Sequence, residues 1–340
     1  MGSELSERSL VDGTLNWMSI TPVHILTYHR HLQKSKRPAS LFHLVLTTQH
    51  NLCTNPRDKI YGVWALAKDS RDLELEPDYS KPLAQVYIDF VKAFVSHHKS
   101  LDIICATQHA SPDIKLPSWC PDWRHKPIIN TLIQRSVPPL RPVDVINYLD
   151  KPLYYAARGT QAATGFFFDD STLVCVGICA DTVEHVGPEL DQQTSLEDWR
   201  TIARKLSRRN GNMLTTEEAD EQFASILMGD AGGGWNGDFK GNGVRVTVRP
   251  HSYDDDMYSP EEKAMLMIPQ QRLIITKRGF MGLAMAHVEV GMHVCILLGC
   301  SVPVLLEKHS NHYHFKGSCY IQGWMKGEIL DEMGGSDEDI

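Results

Sequence analysis

Apolar positions recur with a helical period through the first third of the chain and with a strand period through its last quarter. Leu41, Leu44, Val45 and Thr48 predict a short helix. Asn55 can cap the next one, with Pro56 suited to the first helical position and Asp58 complementing the exposed amides of the first turn. Ile60, Val63, Trp64 and Ala67 then form a one-sided stripe. Ser80 is placed to cap a longer helix, with Pro82 in its first turn and Leu83, Val86, Tyr87, Phe90, Val91 and Phe94 on its buried face. Leu101–Ala106 is a brief apolar run that fits a buried strand or a helix end equally well. Residues 1–38 are polar and weakly periodic, and residues 125–150 hold four Pro without a clear period, as a connector would.

Beyond the connector the pattern changes. Leu173–Ala180 is β-branched and apolar, the composition of a strand. Ser195-Leu196-Glu197-Asp198 reads as a capping box opening a helix that buries Leu196, Trp199, Ile202, Ala203 and Leu206. A second helix is expected over Thr216–Met228, burying Ala219, Phe223, Ile226 and Leu227, and a Gly-rich acidic loop follows to about residue 262. From Arg272 onward short strands succeed one another. Leu273–Thr276 turns near Gly279 and Gly282, Val294–Leu298 turns at Gly299, and Val302–Leu306 leads through a turn at Lys308–His312 into Tyr313–Gly323. The fold class expected is α+β: a mainly helical N-terminal half (1–124), the connector (125–150), and a β-rich domain (151–330). That domain is a small antiparallel barrel or curled sheet with a helical insertion at about 195–228 and the loop at about 229–262; an acidic tail (331–340) ends the chain.

At 340 residues the chain can bury a sizeable core, most naturally as two domains. Its net charge of −8 owes much to Asp331, Glu332, Asp337, Glu338 and Asp339 near the end, and without them the body is close to neutral. A basic nucleic-acid footprint is therefore not expected. No apolar run is long enough to span a bilayer and no secretory leader opens the chain. Met1-Gly2-Ser3-Glu4-Leu5-Ser6 fits the myristoylation pattern but lacks basic neighbours to supply a second membrane signal. Eight Cys without a Cys-x-x-Cys pair suit a reducing, cytoplasmic setting.

Three short motifs stand in order within residues 55–124. They are Pro56-Arg57-Asp58-Lys59-Ile60-Tyr61, Pro77-Asp78-Tyr79-Ser80-Lys81-Pro82 and Leu116-Pro117-Ser118-Trp119-Cys120-Pro121-Asp122-Trp123. Capping, helix entry and aromatic anchoring account for these residue types in physical terms. Their order resembles that of fungal heterokaryon-incompatibility (HET) domain proteins, in which such residues lie just downstream of the HET core. The resemblance extends more loosely through Gly291-x-x-Val294, Pro303-Val304-Leu305-Leu306 and Tyr320-Ile321-x-Gly323-x-Met325-x-Gly327-Glu328. Met292 stands where such proteins often carry Asp, and Glu307 where they often carry Arg. No Ala-Leu-Ser-Tyr-x-Trp-Gly-like signature is found, so the chain is expected to correspond to the portion C-terminal to the HET core. The resemblance implies a role in nonself recognition and programmed cell death. Arg57, Asp58, Tyr79, Trp119, Asp122 and Trp123 match the family motifs and are assigned structural work.

Other constellations favour plainer readings. Gly232–Gly237 matches Gly-x-Gly-x-x-Gly, but a helix precedes it and a charged loop follows, which is the wrong context for a dinucleotide. His309, His312, His314 and Cys319 suggest metal ligands. Strand alternation, however, puts Tyr313, Phe315, Cys319 and Ile321 on one face and His312, His314 and Lys316 on the other, so Cys319 points away from the His pair. Cys175 and Cys179 are about 13 Å apart along an extended strand, too far for a disulfide, and are read as packed, reduced thiols. No Gly-x-Ser-x-Gly elbow or His-Glu-x-x-His helix occurs. The expected function is accordingly a non-enzymatic scaffold or regulatory region with protein partners, and with no catalytic, cofactor or metal site and no cofactor. The alternatives are an enzyme with an unmarked hydrolase or metal site, and a partner-binding module.

Overall fold

A computed structural model of the chain describes residues 38–49, 51–106, 113–124, 154–161, 171–189, 195–209, 211–228 and 271–333. It also describes positions 30, 34 and 169 and the backbone of 239–241 and 244–246. Residues 1–29, the connector at 125–150, most of the Gly-rich stretch and the last seven residues lie outside the described residues. The chain divides into two units, one of Met1–Gly177 with Leu297–Ser301 and one of Ile178–Ile296 with Val302–Ile340.

The first unit is helical. Helix α1 (Leu41–Thr48) starts at Ser40, whose hydroxyl accepts the His43 amide at 3.3 Å, and it buries Leu41, Leu44 and Val45. Helix α2 (Asp58–Trp64) follows a turn that Asn55 organises, its side-chain oxygen taking the Arg57 amide at 3.1 Å and its carbonyl the Asp58 amide at 2.9 Å. Ile60, Tyr61 and Val63 are its buried residues, and Ala67 lies beyond its end. Helix α3 (Leu83–His98) buries Val86, Tyr87, Ile88, Phe90, Val91, Phe94 and Val95. Ser80 does not cap it. The Ser80 amide and hydroxyl both go to Asp78 (2.9 and 2.6 Å), closing a local turn, and Pro82 takes the capping position with no side-chain bond. The apolar run after α3 resolves as a buried 3-10 helix, Asp102–Ala106, rather than a strand.

Residues 297–301 belong with this unit through a dense set of bonds. The Leu101 amide donates to the Gly299 carbonyl (2.7 Å), and the Ala156 amide to the Ser301 carbonyl (3.0 Å). The Ser301 amide donates to the Asp102 carboxylate at 2.7 Å, and Cys105 Sγ lies 3.3 Å from Cys300 Sγ.

The second unit is a closed six-stranded antiparallel barrel with a helical insertion, which settles the choice between barrel and curled sheet. Its strands are β1 (Gly177–Val186), β6 (Gln271–Thr276), β7 (Met281–Met285), β8 (His293–Leu297), β9 (Val304–Lys308) and β10 (Tyr313–Ile321), in the order β1-β6-β7-β10-β9-β8. Closure between β1 and β8 rests on Val183, whose amide donates to Met292 and whose carbonyl accepts from Gly291, both at 2.8 Å. The short pairs β2 (Arg208–Arg209) with β3 (Asn212–Met213), and β4 (Phe239–Gly241) with β5 (Val244–Val246), are separate hairpins. The second of these falls inside the stretch expected to be a Gly-rich loop.

The insertion carries helices α4 (Leu196–Leu206) and α5 (Thr216–Met228). Asp198 accepts from the amide and hydroxyl of Ser195 at 2.8 and 3.1 Å. An unforeseen reciprocal box opens α5: Glu218 accepts the Thr215 amide (2.9 Å) while its own amide donates to Thr215 Oγ1 (3.2 Å). Arg204 clamps the two helices through both oxygens of Asp220, at 2.7 Å each. A final helix, α6 (Glu328–Glu332), includes Asp331 and Glu332.

Three strand expectations change. The apolar run Leu173–Ala180 enters the sheet only at Gly177, and the strand continues through the more polar Asp181–Val186. Gly282 lies within β7, a strand the reading passed over as a turn. Finally, β10 bulges between Phe315 and Ser318: three steps on β10 oppose two on β9, from Leu306 to Val304. Alternation therefore cannot be counted across it. Ser318 and Tyr320 share the face of Phe315, while Cys319 and Ile321 take the opposite one. Tyr313 is exposed at the strand's start, unlike the buried Phe315 with which alternation places it.

Candidate functional site

The first two motifs meet at the entry to α3. The Arg57 guanidinium donates from Nε and Nη2 to the Lys81 carbonyl (3.0 and 2.7 Å), tying the start of α2 to the residue before Pro82. Asp58 accepts the Tyr79 hydroxyl at 2.6 Å, and that ring stands edge-on to Tyr61 at 5.3 Å. The Tyr87 hydroxyl reaches back to the Pro56 carbonyl at 2.9 Å. An open, polar groove beside this junction is lined by Arg71, Glu74, Glu76, Pro77, Asp78 and Lys81.

The third motif anchors the same helix. Trp123 is fully buried, its ring 5.8 Å from Phe90 and 6.3 Å from Phe42. Trp119 is also buried and donates from Nε1 to the Ser171 carbonyl at 3.2 Å. Asp122, almost without solvent contact, accepts from Arg124 Nε and Nη2 at 2.9 and 2.6 Å, and Arg124 reaches Asp113 as well. Thus all six motif residues serve internal bonds or packing.

Their electrostatics agree with that role. Hydrogen bonds to Asp122 and then Asp113 hold Arg124 firmly charged. Burial pushes the Cys120 thiol and the Tyr87 phenol far up, so both stay protonated. The hydrogen bonds from Ser80 hold the Asp78 carboxyl low. None of these groups is drawn toward neutrality, where an acid or base catalyst operates.

One thiol is. Cys179 on β1 is exposed, and its pKa falls to about 7 because the Cys295 thiol hydrogen-bonds to it. Burial opposes the shift, while the Tyr313 hydroxyl and the charge of Lys308 assist it. Along the sequence Cys175 is the nearest thiol to Cys179, and an extended strand holds the two too far apart to bond. Its actual neighbour lies on β8, and only the barrel order brings the two together. Cys179 is also not packed, as expected, but open to solvent.

A second cluster sits at the turn between β9 and β10. His314 is the cross-strand partner of Glu307, and His309 Nε2 lies 3.2 Å from Glu307 Oε2. The three imidazoles of His309, His312 and His314 crowd together, with centroids 4.1 to 5.3 Å apart. Cys319 is fully buried, away from the hairpin tip. The carboxylate was missed as a candidate because Glu307 and His314 become neighbours only through strand register.

Residues 251–337 match the family model of the Het-6 beta-barrel domain, which spans β6 through α6. Over 343 aligned positions the chain is 22% identical to heterokaryon incompatibility protein 6, OR allele, of Neurospora crassa, with 82% of this chain and 49% of that protein covered. The chain spans about half the length of the curated relative it matches. No solved structure matches it. Among the described residues, no helix is long and apolar enough to cross a membrane. The last quarter of the chain thus matches a Het-6 beta-barrel domain, and most of its length is similar to a fungal heterokaryon incompatibility protein.

Proposed function

We propose that this chain is a non-enzymatic scaffold or regulatory region acting in fungal nonself recognition and the cell death that follows it. It corresponds to the part of such a protein C-terminal to the HET core, works in the cytosol, and acts through protein partners. The observation that carries this reading is how the family's motif residues are used: Arg57, Asp58, Tyr79, Trp119, Asp122 and Trp123 all hold the helical unit together. A region whose recurring residues build a frame suits control of an attached activity, which requires only a few kcal/mol of preference between two arrangements. The test is direct. The purified chain is incubated with NAD and with ester and peptide substrates, and no turnover is expected; sustained turnover would overturn the reading.

The exposed Cys179, with its depressed pKa, favours one rival, an enzyme using thiolate chemistry. Turnover abolished by Cys179→Ser would establish that rival.

A further inference from the structure

The β9–β10 hairpin gathers donors that neither the frame nor the barrel needs. Glu307 is the last residue but one of β9, His309 follows two residues later, and His314 stands directly opposite Glu307. The His309 amide donates to the His312 carbonyl at 2.8 Å, closing the turn and folding the two histidines back over the strand pair. One nitrogen of His309, one of His314 and one carboxylate oxygen of Glu307 all lie within 4.8 Å of one another. Glu307 and His309 are half-buried and His314 is exposed, so a cation can enter from solvent without opening the fold.

We propose that Glu307, His309 and His314 form a binding site for a divalent transition-metal ion of the zinc class. Two imidazole nitrogens and one carboxylate oxygen suit such an ion, whereas calcium and magnesium prefer all-oxygen shells. Ligands around zinc sit at about 2.0–2.2 Å from the ion and hence roughly 3–4 Å from each other. The observed spacing closes to that by rotating side chains at the surface. Three protein ligands leave a coordination position for water. The ion has one local competitor: Lys316 Nζ lies 2.9 Å from Glu307 Oε2 and now shares that carboxylate. A bound cation must displace the ammonium or use the other oxygen. Counting residues along β10 concealed the site, because that count sought a ligand in Cys319 on the same strand and overlooked the carboxylate across the ladder.

The experiment is a titration of the purified full chain, first stripped with a chelator, using Zn²⁺ by calorimetry and Co²⁺ by visible absorption. One ion per chain is expected, with Co²⁺ bands typical of low coordination number. His309→Ala and His314→Ala should each weaken binding by about tenfold or more, since even outer-shell losses cost on the order of 10–100-fold. Glu307→Gln should weaken it, and Lys316→Gln should tighten it by removing the competing charge. His314 is exposed and Glu307, His309 and Lys316 keep part of their side chains in solvent, so thermal midpoints measured in chelator should match that of the parent chain. Should one histidine variant fail that control, the other together with Glu307→Gln decides. The proposal is overturned if the parent chain binds no Zn²⁺, or if its binding is unmoved by both histidine substitutions and the ion therefore sits elsewhere among the chain's histidines.

Discussion

Asp69 shows how much one side chain can organise. Its Oδ1 accepts the Leu41 amide at 2.7 Å, at the start of α1, and its Oδ2 lies 2.8 Å from His98 Nε2, at the end of α3. Burial pushes its carboxyl pKa up, but the bonds from His98 and Leu41 more than offset this, and the net direction is down. A carboxylate held below its ordinary range adds stability that is full above that range and fades as pH falls through the folded value. Asp69→Asn should therefore cost about 1.5–3 kcal/mol near neutrality, the range for hydrogen bonds to a charged group. Urea unfolding from about pH 7 to about pH 3 should show the gap between the two proteins narrowing as acid is added. A constant gap would assign the contribution to packing instead. Cys179 offers the opposite kind of residue, exposed and reactive. Its alkylation rate should rise with pH through a midpoint near 7, and Cys295→Ala should move that midpoint up toward the ordinary thiol value by removing the largest cause of the shift. An unmoved midpoint would show that the two thiols are not bonded. Neither partnership could be read from the sequence, since Asp69 and His98, like Cys179 and Cys295, meet only after folding.

At the scale of elements, legibility followed locality. Helix α5 has its range and its buried residues written in consecutive positions. The strands were harder because their partners decide them. Val174 and Val176 looked like core and are nearly half exposed, at 47% and 48%, while the polar end of β1 completes the barrel. Strand β7 looked like a turn because of Gly282, yet that glycine is there for a neighbour. A Cβ at this position would lie 2.2 Å from the Tyr320 carbonyl oxygen on β10. Gly282→Ala should thus cost about 3 kcal/mol or more, at or beyond the top of the usual overpacking range, because backbone rather than a flexible side chain is in the way. A thermal melt of the variant decides this, and an unchanged midpoint would mean β7 and β10 are not so closely paired. Glycine marks both turns and close approaches, and only the facing strand tells which.

For the whole molecule, the α+β division and the helical insertion were readable because the hydrophobic period changes from helical to strand-like along the chain. Barrel closure was not, since it depends on Val183 meeting the β8 end through Gly291 and Met292. The family motifs were legible as motifs and as structure, and the contacts of Arg57, Trp119 and Trp123 bear out the anchoring assigned to them. We propose that they build a frame that controls an attached killing activity without chemistry of its own. The most direct measurement is cell death in a fungal host expressing a HET core alone, the core joined to residues 1–340, and residues 1–340 alone. The isolated chain is expected to leave cells alive, and the joined chain to change the core's toxicity or its dependence on a partner. Equal killing by the core with and without the chain, or killing by the chain alone, would contradict it.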